Sequence, residues 1–262
     1  MTILTKILAQ KAVEIEQLKQ QAPTYVADAK QRPSLFETLN TTNRLHVIAE
    51  MKRASPSKGL IAEGANPVAQ GMAYEQAGAA CISVLTDECF FKGSFEDLQN
   101  VANAVSIPLL CKDFVIDEVQ IDYAKAAGAS VVLLIVAALD DMTLQRLHDY
   151  ATSLDLDILV ETHNVDELHR ALRIGAKIIG VNNRNLHDFS IDLAHTEDIA
   201  AHFPFNEERI FISESGIWTS EDAARVAKAG AKAVLVGESL MRSDSVQSAL
   251  QSLQVPLLAV KR

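Results

Sequence analysis

The sequence lacks the spacings by which most metal, disulfide and dinucleotide sites are recognised. Its three cysteines, Cys81, Cys89 and Cys111, form no CxxC pair, and its seven histidines show no HxH or HExxH spacing. No GxGxxG follows an early predicted strand. We therefore expect no metal site and no disulfide framework, and a reducing, cytoplasmic environment.

Basic residues are fewer than acidic residues, and long apolar runs are absent. Lys and Arg total 24 against 34 for Asp and Glu, a net charge of -10, which disfavours nucleic acid and anionic membranes as partners. The longest apolar run, 131–139, is about half the length of a membrane span. The first residues carry charges at helical spacing and do not form a signal peptide. We expect a soluble protein.

A repeated pattern organises the chain: a helical stretch, then X-Gly-Ala, then a burst of apolar residues. The four glycines are Gly78, Gly128, Gly175 and Gly230, and glycine suits the left-handed position just after a helix. Four further strand candidates lie between these repeats. The eight predicted strands are LHVIAEM, CISVL, PLLCKDF, VVLLIV, LDILVE, KIIGV, RIFISES and KAVLVG.

These strands predict an α/β fold, a (β/α)8 TIM barrel. Many of them are continuously apolar, as are parallel strands buried on both faces. Eight strand–helix units in 262 residues match such a barrel in number and size. A doubly wound open sheet is the alternative, but the fourfold repeat favours closure. We interpret residues 1–262 as one barrel domain.

Residues 1–44 precede the first strand and predict an N-terminal helical extension. Leu4, Leu8, Ile15 and Leu18 indicate an amphipathic helix. Ser34 to Glu37 indicates a second, short helix with a capping box. We expect this extension to pack on the barrel and not to form a separate domain.

Charged residues stand where the predicted strands end, which is where TIM barrels carry their function. Because side chains alternate along a strand, Lys112 shares a face with Leu110, Glu161 with Leu159 and Glu214 with Ile212. If those faces line the barrel, two lysines and three glutamates converge at its mouth. A solvated strand end explains any one charge, but the group favours catalysis, because crowded buried charges are costly. The five are Glu50, Lys52, Lys112, Glu161 and Glu214.

The loops after the seventh and eighth strands predict a phosphate site. They contain Gly216 and Gly237, and the second loop opens directly into a helical stretch. Backbone N–H groups and a helix N-terminus at this position bind phosphate in many barrels. Ser55, after the first strand, could add a hydroxyl. The alternative for each glycine is an ordinary turn. His46 and His163 lie near strand ends, and we interpret both as structural.

Several strings occur together in a specific order: IAEMKRASPSKG, FFKGS, LLCKDF, LVETHN, GVNNRNL, ISESGI and GESLMR. This set resembles the indole-3-glycerol phosphate synthase family over nearly the whole chain. The resemblance implies a (β/α)8 barrel with an extra helical segment over its mouth. It also implies ring closure of carboxyphenylamino-deoxyribulose phosphate with loss of carbon dioxide and water, and without metal or cofactor.

The resemblance further implies a role for each residue at the strand ends. Lys112 would be the general acid that protonates the ketone, and Glu161 the acid/base group of the dehydration. Glu50 would stabilise the cationic intermediate and take part in proton transfer, with Lys52 between it and the substrate carboxylate. Arg184 would bind that carboxylate. The residues implied to position hydroxyls and catalytic side chains are Asn182, Glu214 and Ser215.

The resemblance also implies where the rest of the substrate lies. Glu238 follows the phosphate-loop glycine, and we expect its carboxylate to point outward and only its N–H to contribute. The implied aromatic wall is Leu85, Phe91, Phe114 and Leu133, and the implied phosphate cradle is Ser55, Gly216, Gly237, Glu238 and Ser239.

Two other functions remain open at this point. A phosphoribosyl isomerase uses an Asp or Cys acid/base pair, whereas here Asp113 is the only nearby Asp. A non-catalytic metabolite sensor would have a broken catalytic set. We expect a monofunctional enzyme, since the chain ends soon after the eighth strand, and we separately expect a monomer.

Overall fold

A computed structural model describes residues 2–26, 30–41, 43–55, 59–60, 64, 66–185 and 188–257. Eight parallel strands close into a barrel, in which each strand pairs with its neighbours in sequence and β1 pairs with β8. The predicted (β/α)8 architecture is therefore confirmed. The strands are β1 (His46–Met51), β2 (Cys81–Leu85), β3 (Leu109–Lys112), β4 (Val131–Ile135), β5 (Asp157–Thr162), β6 (Ile178–Asn182), β7 (Ile210–Glu214) and β8 (Ala233–Val236).

Both faces of the barrel strands are buried, which explains their continuous apolarity. Leu110, Leu159 and Ile212 belong to the cluster inside the barrel. Alternate residues such as Val132 and Val160 belong to the cluster between strands and helices. The predicted alternation therefore holds, and Lys112, Glu161 and Glu214 follow the inward-facing residues at the carboxyl ends of their strands.

Helices surround the barrel and carry the predicted start and stop signals. Asn66 caps its helix with Pro at the first position, and Asn164 and Asp140 also act as caps. The four repeat glycines all have positive φ. The α-helices are α1 (Ile3–Leu18), α2 (Leu35–Leu39), α3 (Pro67–Gln76), α4 (Glu88–Phe91), α5 (Phe95–Ala104), α6 (Glu118–Ala126), α7 (Asp141–Ser153), α8 (Val165–Arg173), α9 (Ala194–Ala200), α10 (Ser220–Lys228), α11 (Glu238–Met241) and α12 (Val246–Leu253).

Helix α1 is amphipathic as predicted, but the residues on its buried face differ from the predicted ones. The fully buried residues are Ile7, Lys11 and Ile15, which are spaced four apart on one face. Leu4 and Leu18 are only half-buried. A lysine therefore occupies the centre of the face that packs on the barrel.

Helix α2 lies at the amino-terminal end of the barrel, opposite the mouth that the family resemblance implied for the extension. Leu35 and Leu39 belong to the interior cluster and seal this end. Asp157, the first residue of β5, accepts hydrogen bonds from Ser34 Oγ at 2.9 Å and from Leu35 N at 2.6 Å. The N-terminal extension thus contacts both ends of the barrel.

A short antiparallel pair, Ala54–Ser55 with Gly59–Leu60, follows β1. The side chain of Ser55 and residues 56–58 lie outside the described residues, so this predicted phosphate contact stays a prediction. Within the described ranges, no helix is both long and apolar enough to cross a membrane.

The anchoring of α2 generates a prediction on stability. Replacing Asp157 by Ala removes the acceptor of the hydrogen bonds from Ser34 and Leu35. We expect a loss of about 2 kcal/mol in the free energy of unfolding, because the acceptor is charged and partly buried. Urea unfolding measures this change, and kcat should stay near the wild-type value because the site lies at the other end.

Glu37→Ala is the matched control for this variant. It removes an exposed carboxylate from the same helix and should change stability by less than about 0.5 kcal/mol. Equal losses in the two variants would contradict the assignment of Asp157 as the anchor.

Candidate active site

The largest concentration of buried charge lies in one cavity at the carboxyl ends of the barrel strands. All of the predicted site residues except Ser55 line it. They are Glu50, Lys52, Leu85, Phe91, Lys112, Phe114, Leu133, Glu161, Asn182, Arg184, Glu214, Ser215, Gly216, Gly237, Glu238 and Ser239. Eight strands and their following loops thus deliver residues that are far apart in sequence to one place.

The ammonium of Lys112 lies at the centre of this cavity and bridges two carboxylates. Its Nζ atom is 3.0 Å from Glu161 Oε2 and 2.8 Å from Glu214 Oε2. The two glutamates are 3 % and 1 % exposed. Two carboxylates this close and this dry would repel each other without a cation between them. Lys112 is therefore what allows both to be buried here.

This shared cation sets the protonation states of the three groups. Burial alone would lower the pKa of Lys112, but Glu214, Glu161 and Glu50 outweigh it and hold the pKa above its usual range. Burial would raise the pKa of Glu161, but Lys112 and His163 hold it below its usual range. Lys112 is therefore an ammonium at neutral pH, and Glu161 is ionised.

The second carboxylate behaves in the opposite way. Burial, together with the negative charges of Glu161 and Glu50, raises the pKa of Glu214 to about 7 against the opposing effect of Lys112. One ammonium cannot fully compensate two buried carboxylates, so the pair divides into one strong and one weak acid. Glu214 is the group that takes up a proton near neutral pH.

A second ion pair joins the end of β1 to the cavity. Lys52 Nζ lies 2.6 Å from Glu50 Oε1, and Glu50 is 2 % exposed whereas the Lys52 side chain is 23 % exposed. A Cβ atom at Gly237 would lie 2.9 Å from the same Oε1 atom. The glycine therefore leaves the room in which the Glu50 carboxylate lies.

Asn182 links the charged centre to the loop after β7. Its Nδ2 donates to Glu161 Oε1 at 3.1 Å, and its Oδ1 accepts from Ser215 Oγ at 2.9 Å and from Arg184 N at 3.0 Å. These bonds fix which way the amide points. Ser215 has a positive φ of 67°, a conformation uncommon for residues other than glycine, and the Asn182 contact ties its hydroxyl in that position.

The neighbouring Asn183 has a structural role. It is fully buried, and its Nδ2 donates to Ser213 Oγ and to the carbonyls of Glu214 and Ser215, while its Oδ1 accepts from Thr196. Asn183 thus ties the end of β6 to the loop after β7.

The loops after β7 and β8 form the rim of the cavity at which phosphate was predicted. Gly216 has a φ of 85°, and a Cβ atom there would lie 2.5 Å from Ile191. Gly237 precedes helix α11, and the first N–H groups of a helix have no acceptor within it. Ser239 Oγ donates to the carbonyl of Ile217 at 3.1 Å, which joins the two loops.

Glu238 departs from the expected outward orientation. Its carboxylate lies 3.0 Å from Arg242 one turn later, and its side chain is 15 % exposed. Pairing with Arg242, and not exposure to solvent, therefore offsets the charge that would repel a phosphate.

Apolar side chains cover the opposite wall of the cavity. The rings of Phe91 and Phe114 lie 6.0 Å apart at their centroids, within the range of favourable aromatic pairs. The sequence interpretation missed several lining residues, because their spacing along the chain resembles ordinary packing positions. They are Ile3, Leu4, Ile7, Ile135, Phe189, Ile191, Ile217, Trp218, Leu235 and Val236.

His163, interpreted from the sequence as structural, lies against a catalytic candidate. Its Nε2 is 3.4 Å from Glu161 Oε1, and its Nδ1 is 3.1 Å from Glu167 Oε2. Burial would lower its pKa, but these two carboxylates raise it to about 10. An imidazolium therefore helps to keep Glu161 ionised. Its position two residues after Glu161 on an alternating strand was the signal that could have placed it there.

No group of three or more His, Cys, Asp or Glu side chains within the described part of the chain is arranged to hold a metal ion. Asp113, the acid that a phosphoribosyl isomerase would need, also borders the cavity, but its carboxylate pairs with Lys11 at 2.8 Å.

Comparison with known proteins shows the family to which this chain is similar. The model of the indole-3-glycerol phosphate synthase family matches residues 4–253. A relative of that name from Oceanobacillus iheyensis is 50 % identical over 258 residues, 98 % of each chain. Another from Listeria monocytogenes is 52 % identical over 256 residues, 97 % of this chain and 99 % of its own.

Solved structures support the fold. A 3-hexulose-6-phosphate synthase superposes with a TM-score of 0.61 over 80 % of this chain and 98 % of its own, at 17 % identity. Thiamine phosphate pyrophosphorylase from Pyrococcus furiosus gives a TM-score of 0.60 over 80 % of this chain and 94 % of its own, also at 17 % identity. The match to the family model over nearly the whole chain goes further than fold: this chain belongs to the indole-3-glycerol phosphate synthase family of carboxy-lyases in tryptophan biosynthesis.

Proposed function

We propose that the charged centre described above closes the indole ring of carboxyphenylamino-deoxyribulose phosphate by acid–base catalysis. The observation that carries this proposal is the ammonium of Lys112 held between Glu161 and Glu214 inside a cavity with an apolar wall. Ring closure needs an acid at the ketone, a base for a carbon-bound proton and an acid for the leaving hydroxyl. The cavity holds groups of each kind.

Lys112 acts as the general acid of the first step. As the aromatic carbon attacks the ketone, negative charge develops on the oxygen, and an ammonium in a dry pocket stabilises that charge. The raised pKa keeps Lys112 protonated until then, and an alkoxide is basic enough to take its proton. Loss of carbon dioxide from the same ring carbon then restores the aromatic ring.

Glu161 and Glu50 act in the dehydration that follows. Glu161 is ionised in the free enzyme, so it first takes up a proton from solvent and then gives it to the hydroxyl, which leaves as water. Glu50 stabilises the cationic intermediate and takes part in the removal of the carbon-bound proton. Asn182 and Ser215 hold Glu161 and the substrate hydroxyls in place through the hydrogen bonds they share.

The two remaining cations hold the substrate carboxylate. The Arg184 guanidinium matches a carboxylate with two parallel hydrogen bonds, and its backbone N–H is fixed by Asn182. Lys52, which pairs with Glu50, is the second cation for this carboxylate. Phe91 and Phe114 pack against the aromatic ring.

The loops after β7 and β8 bind the phosphate. Gly216 and Gly237 let the backbone come close, and the first turn of α11 offers N–H groups. Glu238 contributes only its N–H, because its carboxylate is paired with Arg242.

The enzyme works as a monomer in the cytoplasm. Among the described residues, exposed large apolar side chains are scattered, and two of them, Ile191 and Trp218, belong to the cavity mouth. Such scattering does not form the contiguous patch of a stable dimer interface. Cys81, Cys89 and Cys111 are all free thiols, which suits a reducing compartment.

Lys112→Ala tests the first step. We expect the rate of ring closure to fall about 10²- to 10⁴-fold, because a positioned general acid is lost, while affinity for inorganic phosphate stays unchanged. Indole fluorescence measures the first quantity and calorimetry the second. Lys177→Ala, at the amino-terminal end of the barrel, is the control, and near-normal turnover by Lys112→Ala would refute the assignment.

Glu161→Gln separates the two halves of the reaction. The amide keeps the hydrogen bond to Lys112 but cannot carry a proton, so dehydration should slow about 10²- to 10⁴-fold and more than ring closure. In a single turnover, substrate should disappear before indole absorbance rises. Glu118→Gln, an exposed partner of Arg146, should keep the two signals in step. If they also stay in step in Glu161→Gln at the normal rate, Glu161 has another role.

Glu214→Gln tests the shared cation through pH. Between its usual pKa of 4.5 and about 7, the folded protein keeps a proton on Glu214 that the unfolded chain has released. The wild type therefore loses stability from this group as pH rises through that window, whereas Gln does not titrate. The stability of Glu214→Gln relative to wild type should rise between pH 4.5 and 7 and then level off. Urea unfolding at several pH values measures this, and a constant difference would contradict the raised pKa.

A further inference from the structure

Lys11 is a fully buried lysine that the reaction does not use. It lies in the middle of α1 and is 2 % exposed. Its Nζ atom is 2.8 Å from Asp113 Oδ1, 2.9 Å from Asp87 Oδ2 and 2.8 Å from Glu14 Oε2. Burying an ion costs several kcal/mol before its partners compensate it, so an apolar residue would serve docking of the helix at least as well. The position therefore calls for another explanation.

The two aspartates that Lys11 joins are the anchors of the aromatic wall. Asp87 accepts hydrogen bonds from Phe90 N at 2.6 Å and Phe91 N at 3.1 Å, and so caps α4. Asp113 accepts from Phe114 N at 2.8 Å and, through its other oxygen, from Thr86 Oγ1 at 2.7 Å. Each aspartate thus fixes the backbone of one of the two ring-bearing residues, Phe91 and Phe114.

Asp87 and Asp113 are 0 % and 3 % exposed. Side by side and without a cation, two such carboxylates would repel each other, and one would take up a proton and lose acceptor strength. Burial alone would lower the pKa of Lys11, but Asp113 and Asp87 outweigh it and raise it above its usual range. The ammonium therefore stays charged and keeps the pair together.

We propose that Lys11 is a positioning residue for substrate binding: by holding Asp87 and Asp113 together, it sets the spacing of Phe91 and Phe114 and hence the affinity for the aromatic half of the substrate. The inference rests on the proposed function, in which these rings bind that half. The same helix brings Ile3, Leu4 and Ile7 to the cavity, so its docking and the shape of the wall are set together. The phosphate end, built on β7 and β8, does not depend on this contact.

The test compares two ligands that report on the two ends of the cavity. Anthranilate probes the aromatic wall and inorganic phosphate probes the loops after β7 and β8, each by calorimetry, with KM and kcat measured on the substrate. Lys11→Met should weaken the binding of anthranilate about tenfold, which is the effect expected from the loss of one aromatic contact. It should raise KM by a similar factor. Its kcat and its phosphate affinity should stay within about threefold of wild type.

Lys19→Met is the matched control. Lys19 is the C-cap of the same helix and pairs with Asp117 at 2.8 Å, but its side chain is 47 % exposed and neither residue borders the cavity. This variant removes an ion pair between α1 and the barrel and should leave both affinities within about twofold. If Lys19→Met weakens anthranilate as much as Lys11→Met does, loosened docking of the helix explains the effect and the proposal fails.

A triple variant keeps the proposal testable if Lys11→Met folds poorly. Lys11→Met with Asp87→Asn and Asp113→Asn removes the cation and both carboxylate charges together, but the Asn oxygens can still accept from Phe91 N and Phe114 N. It should fold and bind anthranilate within about threefold of wild type, because no uncompensated charge is left buried. Equal weakening of both ligands, or of neither, in Lys11→Met would overturn the proposal. Failure of the proposed function would instead appear as a wild-type protein that binds both ligands without forming indole.

Discussion

One buried ammonium shared by two carboxylates is the interaction on which the active end of the barrel depends. Lys112, Glu161 and Glu214 come from β3, β5 and β7, and the closed sheet brings the ends of these strands to one level. Removing the ammonium would leave two carboxylates uncompensated in a dry cavity, whereas removing one carboxylate would leave a balanced ion pair. The same shared ammonium leaves one carboxylate as an ionised base and the other as a weak acid. It therefore determines both the positions and the protonation states of the two glutamates.

Two charge clusters meet at the end of β3, and they differ in which element supplies the cation. Lys112 faces the cavity, where a strand carries the cation and other strands carry the carboxylates. The next residue, Asp113, is buried against helix α1, where the segments after β2 and β3 carry the two carboxylates and α1 supplies the cation. Because side chains alternate along the strand, the neighbouring residues Lys112 and Asp113 belong to different clusters. The segment thus links the reacting centre to the N-terminal helix although no residue belongs to both clusters.

Most of the fold and the core of the site could be predicted from sequence because both rest on local patterns. Apolar runs and glycines after helices indicate each strand and turn separately, and eight of them leave few architectures to choose from. Charges such as Glu50 and Lys112 were visible because they interrupt apolar strands at their ends. Asn182 and Asn183 show the limit of such patterns. The two residues are identical and adjacent, yet Asn182 contacts the charged centre whereas Asn183 has a structural role.

What could not be predicted depends on contacts between distant segments. Lys11 lies at a position that looks solvent-facing, because lysine is seldom buried, and only the two aspartates 76 and 102 residues later explain it. The position of α2 at the amino-terminal end depends on Asp157, which begins a strand and shows no sign of its partner. The contacts of His163 could not be predicted because its partner Glu167 belongs to the next helix.

The double attachment of the N-terminal extension has a consequence for the order of folding. Ser34 and Asp157 are separated by 123 residues, so during synthesis the extension emerges long before the strand that anchors it. Ser34 remains without this partner until β5 has been made, and contacts of such separation form slowly. The α2 end of the extension can therefore dock only after more than half of the barrel strands exist, whereas the partners of Lys11 in α1, Asp87 and Asp113, are made before β5.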